Sequence, residues 1–363
     1  MPNQTLRPAQ LSRATLARQM LLRREPLPVA EAVRRLFALQ AQEPKPPFLA
    51  LWSRLTDFAA DELRAALRDA TVLRVTLVRG TLHLVTAADY AAIRAPLQPV
   101  LAGSFTALGD RAAGIDLARV LPAARTAFAT GPMTFEELRR RLAPDFPGLD
   151  ERVLGYAVRM NLPLVMAPSQ DRWGYPRVSR FGLTRPFGAA ADPDELVVRY
   201  LACFGPATAA DAQTFTGLPR LKPVFDRLAD RLVTFLDDRK RTLYDLPDAP
   251  RPAADAPAPP RFLADFDNLV LGYQDRTRFF ADAFKSHVTT RNLRVRATFL
   301  LDGQIRGTWA ISRTAKAATV TMTPFEPLSA DAVATLEPEA LALLRFAEPD
   351  SPAHRVAVAV AAG

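Results

Sequence analysis

One local pattern occurs twice in this chain and fixes much of what it can fold into. Gly131-Pro132-Met133-Thr134 opens onto an amphipathic run at 135–142, and Gly205-Pro206-Ala207-Thr208 opens onto a second at 209–215. Thr134 and Glu137 have the spacing of a capping box, in which each residue satisfies the other's free backbone N–H at a helix start. Each copy follows an amphipathic stretch (117–128 and 193–204) and precedes another (150–161 and 219–230), then a short extended segment at 163–166 or 232–235. Internal recurrence of this kind marks repeated supersecondary units. A looser copy begins the chain, with helices predicted at 9–23, 28–41, 48–55 and 61–69. It closes on a β-branched run at 71–78, an Arg79-Gly80 turn and a strand at 81–85. Helices closed by a short hairpin make a winged helix, and three consecutive units are expected.

At 363 residues the chain exceeds one ordinary core, so several domains are expected. Between 247 and 260 six prolines stand among alanines and aspartates, a composition suited to an extended linker. Beyond it, strands are predicted at 295–301, 305–311 and 319–322, with a helix at 331–346 beside them. The expected architecture is α+β and mainly α. Winged-helix domains span 1–112, 113–190 and 191–246, a Pro/Ala-rich linker spans 247–260, and a small β-rich domain spans 261–363.

The formal charge of +9 favours a polyanionic partner, nucleic acid before an anionic membrane. Only five of the 47 basic residues are lysine. Arginine's planar fork suits phosphate, although the excess of Ala, Arg and Pro is also what a GC-rich genome produces. One cysteine, Cys203, excludes an internal disulfide, and with three histidines it argues against a structural zinc. Arginines scattered through residues 1–22 leave no signal peptide or membrane span there, and a cytoplasmic location is expected. No phosphate-binding loop, dinucleotide fingerprint, nucleophile elbow or zinc-protease helix occurs, which sets aside nucleotide hydrolysis, nicotinamide chemistry and zinc proteolysis.

The unusual segment is Leu39-Gln40-Ala41-Gln42-Glu43-Pro44, two amides expected at the end of an apolar helix where prolines break the chain. If the last turn unwinds, both project into one cleft; otherwise they cap carbonyls or face water. In Arg79-Gly80-Thr81-Leu82-His83-Leu84 the strand alternation puts Thr81 and His83 on one face, available to a phosphate or a water, or simply half-buried. Lys45 is expected to contact phosphate rather than form a Schiff base. Arg239, Lys240 and Arg241 occupy a predicted hairpin tip and are the best candidates for backbone phosphates among several arginine runs. Asp265 and Asp267 are expected to form ion pairs, Asp267 with Arg276 or Arg278, rather than a metal site.

Together, the Gln40–Gln42 motif, Val78 to Val85 (VRGTLHLV) followed by Asp89-Tyr90, and Phe266-Asp267-Asn268-Leu269 with Asp275-Arg276-Thr277-Arg278 resemble the AlkZ-like family of winged-helix DNA glycosylases. The similarity spans nearly the whole chain in order. It implies three tandem winged helices with a C-terminal β-barrel around a DNA channel. The implied activity is monofunctional base excision repair of alkylation damage: hydrolysis of the N-glycosidic bond of N7-alkylguanine-type lesions in double-stranded DNA, with Gln40 and Gln42 as the catalytic pair. Related branches carry a charged residue at the second position, so Gln42 points to interstrand-crosslink unhooking, in housekeeping repair or in antibiotic resistance. Thr81, His83, Lys45, Arg79 and the hairpin-tip residues are expected to bind DNA or lesion. No cofactor, metal, membrane or obligate protein partner is expected, and the enzyme should act as a nucleoid-associated monomer. The competing class is a non-catalytic winged-helix DNA-binding protein or transcriptional regulator, since that fold most often binds DNA without chemistry.

Overall fold

Where the sequence supplies caps, helices begin as expected in the computed structural model, which describes residues 4–176, 178–184 and 193–361. Thr134 caps Phe135–Leu142 in a reciprocal bond pair with Glu137 (3.1 and 2.8 Å), and Thr208 caps Ala209–Thr216 with Asp211. Leu117–Phe128, Glu151–Asn161, Pro193–Phe204 and Lys222–Arg227 complete the helical parts of the two repeats. The expected boundary at 190/191 lies outside the described residues, as do the ends 1–3 and 362–363 of the first and last expected domains. No described helix is long and apolar enough to cross a membrane.

The N-terminal unit departs from expectation where it matters most. The second helix runs only Val29–Arg35, because Phe37 adopts a left-handed backbone (φ 65°) that ends it. Leu39–Gln40 is then a strand, and Gln40 does not sit at a helix end as predicted. The chain re-enters a helix at Pro46–Trp52, with prolines in its first turn, where the missing N–H is not required. Helices Ala87–Ile93 and Gln98–Thr106 were not foreseen.

Leu39–Gln40 forms the edge of a five-stranded antiparallel sheet whose order continues with Leu82–Thr86, Val72–Thr76, Leu164–Met166 and Phe181–Leu183. The second unit's extended hairpin thus completes the first unit's sheet, through Val75 opposite Val165. The third unit's hairpin, Val233–Leu236 with Thr242–Asp245, stands apart.

The C-terminal strands Arg261–Leu263, Thr298–Leu301, Gln304–Arg313, Ala318–Pro324 and His354–Val358 form an open sheet in that spatial order. The described residues do not close into the expected barrel: the first and last strands are left as edges. Helix Ala330–Ala347 packs its buried stripe, including Leu336, Leu343 and Leu344, into the core shared with this sheet. The segment 247–260 has no helix or strand, yet its Pro250 and Ala256 carbonyls accept from Arg18 (3.2 Å) and Arg13 (2.7 Å).

Two large apolar cores hold the units together, each built from residues far apart in sequence. One joins Phe48, Leu63, Val120, Leu138, Phe299 and Leu343; the other joins Leu16, Phe37, Val75, Tyr200, Phe225 and Tyr273. Between N- and C-terminal parts lies a fully buried ion pair: Arg54 grips Asp267 with two bonds of 2.8 and 2.9 Å. The expected partners Arg276 and Arg278 are elsewhere, Arg278 stacking on Tyr273 and donating to the Pro206 carbonyl. Asp267 also caps Asn268–Leu271.

An uncompensated buried guanidinium is costly, so Asp267→Ala should destabilise the fold by about 3–5 kcal/mol in urea unfolding. Combining Arg54→Met with Asp267→Leu should recover most of that loss; an Asp267→Ala protein as stable as the parent would refute the assignment.

Candidate functional site

Gln40 owes its position to a clamp from the far end of the chain. The Asn268 side-chain amide donates to the carbonyls of Leu36 and Ala38 (3.0 and 2.9 Å), satisfying the backbone groups freed where the helix breaks around Phe37. The next residues pair with the neighbouring strand, Leu39 opposite Leu84 and Gln40 opposite His83. Residues opposite one another share a face. Gln40, His83 and Val75 therefore look toward the core of Phe37 and Phe215. Gln40 is buried, whereas Gln42, just past the strand, is exposed. The predicted pair thus reaches one sheet edge from an extended segment, not from an unwound helix turn.

Both amides have a defined polarity. Arg79 Nη2 donates to Gln40 Oε1 at 3.0 Å, and the Leu82 backbone N–H donates to Gln42 Oε1 at 3.3 Å. Guanidinium and backbone N–H groups can only donate, so the carbonyl oxygens are the ends held. Neither Nε2 has a hydrogen-bond partner among the described residues. Arg79 projects from a tight 3-10 turn, Val78–Gly80, with a left-handed backbone (φ 54°). Its guanidinium also donates to the Phe215 carbonyl and lies 5.4 Å from that ring.

His83 is fully buried beside Gln40, and its Nδ1–H donates to the Thr81 carbonyl at 3.0 Å. Burial, with the nearby Arg79 charge, pushes its pKa down to about 3. The ring is neutral at physiological pH, and its Nε2 lone pair has no partner among the described residues. The Thr81 hydroxyl donates to the Val78 carbonyl at 3.1 Å, bracing the turn.

Four arginines around this edge have no ion pair among the described residues: Arg74, Arg79, Arg159 and Arg276. Arg74 donates to the carbonyls of Ala41 (2.8 Å) and Gln42 (3.1 Å) and lies 4.5 Å over the Tyr175 ring. Burial depresses the pKa of Arg74 to about 10, with the Arg159 charge adding to it, and does the same for Arg79 with Arg276 adding. Such charges call for an anion, and phosphate suits the guanidinium fork. Arg74 could have been suspected from sequence as the one charge inside the apolar strand Val72–Thr76. Asn268 and Arg276 lie in the two downstream motifs that carry the family resemblance, but the sequence assigns them no site role, and Arg159 has no signal.

Of the remaining predicted residues, Lys45, Arg239 and Arg241 are held in ion pairs and Lys240 is exposed at the hairpin tip. Lys45 Nζ pairs with Glu348 at 3.0 Å and lies 5.5 Å over Trp173. It lines, with Glu43, Arg294 and Arg296, a groove of about 530 Å³ between the proline segment and the C-terminal sheet. Arg239, Lys240 and Arg241 do form the hairpin tip, but Arg239 and Arg241 both bind Asp275 (2.9 and 2.6 Å), and Arg241 also binds Asp237 (2.6 Å). Asp265 faces Arg294 at 3.3 Å. No cluster of three or more His, Cys, Asp or Glu suited to a metal occurs among the described residues.

A family model described as "DNA glycosylase AlkZ-like" matches residues 33–346. Among solved structures, the chain is similar to the Streptomyces sahachiroi DNA glycosylase AlkZ. The TM-score is 0.78 at 23% identity, over 98% of this chain and 100% of that one, a likeness of fold. No curated protein matches the chain.

The His83 environment predicts a pH dependence. Its folded-state pKa, about 3, lies below the ordinary histidine value of 6.5, so the neutral form stabilises the fold above pH 6.5. As pH falls below that, the unfolded chain binds a proton that the folded one refuses, and stability drops by roughly 1.4 kcal/mol per pH unit from this residue. Urea unfolding between pH 7 and 5 should show a slope that His83→Gln flattens; parallel slopes would mean that His83 takes up its proton in the folded state.

Proposed function

The chain belongs to the AlkZ-like DNA glycosylase family, and from that premise we propose that it hydrolyses the N-glycosidic bond of N7-alkylguanine-type lesions in duplex DNA, leaving an abasic site without cutting the strand. The observation that carries this reading is the pair of polarity-fixed amides, Gln40 and Gln42, at a sheet edge flanked by arginines that have no carboxylate partner among the described residues. Of those cations, Arg74, Arg159 and Arg276 suit the phosphates on either side of a nucleotide drawn out of the stack.

Neutral amides suit this substrate. An N7-alkylated guanine is already cationic, so its departure needs no proton from a general acid. When the C1′–N9 bond breaks, its electron pair moves into the base, which leaves neutral, and positive charge passes to the sugar. Water adding to that oxocarbenium needs positioning more than prior deprotonation. Fixed amide dipoles can hold base, sugar and water in register without reorganising during the step. Neutral His83 agrees with such a site, since it adds no acid near pH 7. Lys45, engaged by Glu348 and Trp173, supports hydrolysis over a Schiff-base lyase step. Glutamine at position 42 supports extending the substrate range to N7-linked interstrand crosslinks, and we place the enzyme's action in the cytoplasm as a cofactor-free monomer.

With N7-methylguanine duplex, the wild type should release methylated base and leave alkali-labile sites, while unmodified guanine stays in place. Gln40→Ala and Gln42→Ala should each slow single-turnover release by about 10²-fold, the scale for removing one fixed dipole from an active site, with duplex affinity within a few-fold. Undiminished release by both variants would remove the glutamines from the chemistry, and a borohydride-trapped adduct would overturn the monofunctional assignment.

A further inference from the structure

Resting on the reading of Gln40 as catalytic, we propose that Arg79 is a positioning residue that decides which end of the Gln40 amide meets the lesion: by holding Oε1 it makes Gln40 present its Nε2 donor. A glutamine amide has two unlike ends, and rotation about its last torsion exchanges them easily, so neighbours must set the polarity. Arg79 sets it from a position that does not depend on Gln40. Its turn packs against Gly217, where an added Cβ would lie 3.6 Å from Arg79 Cα and 2.9 Å from Val100, and its guanidinium is also held by the Phe215 carbonyl and ring. His83, the cross-strand neighbour, does not compete for Oε1, because its one N–H is committed to the Thr81 carbonyl.

Arg18 and Arg54, which join distant parts of the fold, are each locked two-fold onto a buried aspartate. Arg79 has no carboxylate among the described residues, and Gln40 Oε1 is the side-chain acceptor it holds. On the catalytic reading of Gln40, the donor end is the one left for the bound nucleotide. As the C1′–N9 bond breaks, the pair of electrons entering the base makes its ring and carbonyl acceptors stronger. A fixed N–H donor to the base therefore binds more tightly in the transition state than in the ground state, which is the condition for raising kcat. Gln40 acts on the leaving base, and Arg79 acts through Gln40.

Gln40→Glu separates the two ends. A glutamate at position 40 keeps an oxygen for Arg79, as an ion pair, but offers no donor at neutral pH. Gln40→Glu should therefore be as slow on N7-methylguanine duplex as Gln40→Ala while melting no lower than the wild type. Arg79→Met should lower kcat by about ten-fold or more with KM within a few-fold, and Arg79→Lys, which retains a donor, should recover part of the loss. Activity of Gln40→Glu within a few-fold of wild type would overturn the proposal, since the oxygen end would then be the working one. A raised KM with unchanged kcat in Arg79→Met would also overturn it and make Arg79 a phosphate contact. An activity-independent readout guards against misfolding or an inactive wild type. The Gln40 side-chain NH2 resonances, assigned by their loss in Gln40→Glu, should move toward free-amide positions in Arg79→Lys or Arg79→Met, and unshifted resonances would sink the positioning role. If the wild type releases no methylated base while these resonances do shift, the reaction assignment fails and the ordering of Gln40 stands.

Discussion

The geometry of the site depends on one tie between distant parts of the chain, Asp267-Asn268 against the first unit. Asp267 locks onto Arg54 with both side chains fully buried, and the adjacent Asn268 holds the carbonyls of Leu36 and Ala38. Burying two charges gains little net stability, because desolvation offsets most of their attraction. What the pair supplies is place: it fixes where Asn268 stands, and Asn268 fixes where the helix ends and the strand bearing Gln40 begins. Slipping that strand by one residue would turn Gln40 to the opposite face, toward Leu82 and Leu84. The motif near residue 267 and the motif near residue 40 are therefore two halves of one structural device.

Arginine is used in two distinct ways in this molecule. Arg18 and Arg54 are matched to buried aspartates and join units, while Arg239 and Arg241 share Asp275 and fasten the third hairpin to the segment that carries Arg276. Around the sheet edge the pattern reverses: Arg74, Arg79, Arg159 and Arg276 hold carbonyls, hydroxyls and rings. Burial lowers the pKa of each, a cost in the free protein that an anion at the site would relieve. On the proposed reaction that anion is the DNA backbone for Arg74, Arg159 and Arg276, which have no carboxylate among the described residues, while Arg79 stays on Gln40.

How much of this was legible in the sequence follows from the range of the interactions involved. Helices 117–128, 135–142 and 193–204 could be placed because Thr134, Glu137 and the apolar periodicity act locally. The false extension of the second helix to residue 41 arose because Phe37 takes a left-handed backbone that nothing nearby in sequence demands. Asn268, 231 positions later, bridges the carbonyls of Leu36 and Ala38 on either side of Phe37. For the same reason Asp267 was matched to arginines close in sequence rather than to Arg54. Family resemblance identified Gln40 and Gln42 as the residues to watch, yet the polarity of their amides is a tertiary property. It depends on Arg79 being aimed by a turn that leans on Phe215 and Gly217. The open C-terminal sheet differs from the expected barrel because neither edge strand finds the other; helix Ala330–Ala347 contributes instead to covering that part of the core.

That polarity bears on why a site with no acid or base could work on the proposed lesion. A leaving group that is already cationic removes the need for proton donation, and a protonated histidine beside it would repel it. His83 is kept neutral by burial and by Arg79. The guanidinium of Arg79 is held on Gln40 Oε1 and the Phe215 carbonyl beside His83, and on the proposed reading Gln40 meets the substrate and Arg79 does not. The amide then acts as an insulated extension of the guanidinium, passing on orientation and polarisation while carrying no net charge to the nucleotide. A charged residue in its place would either repel the lesion or hold it too firmly before the bond breaks; an oriented neutral dipole can favour the moment of departure over the bound state.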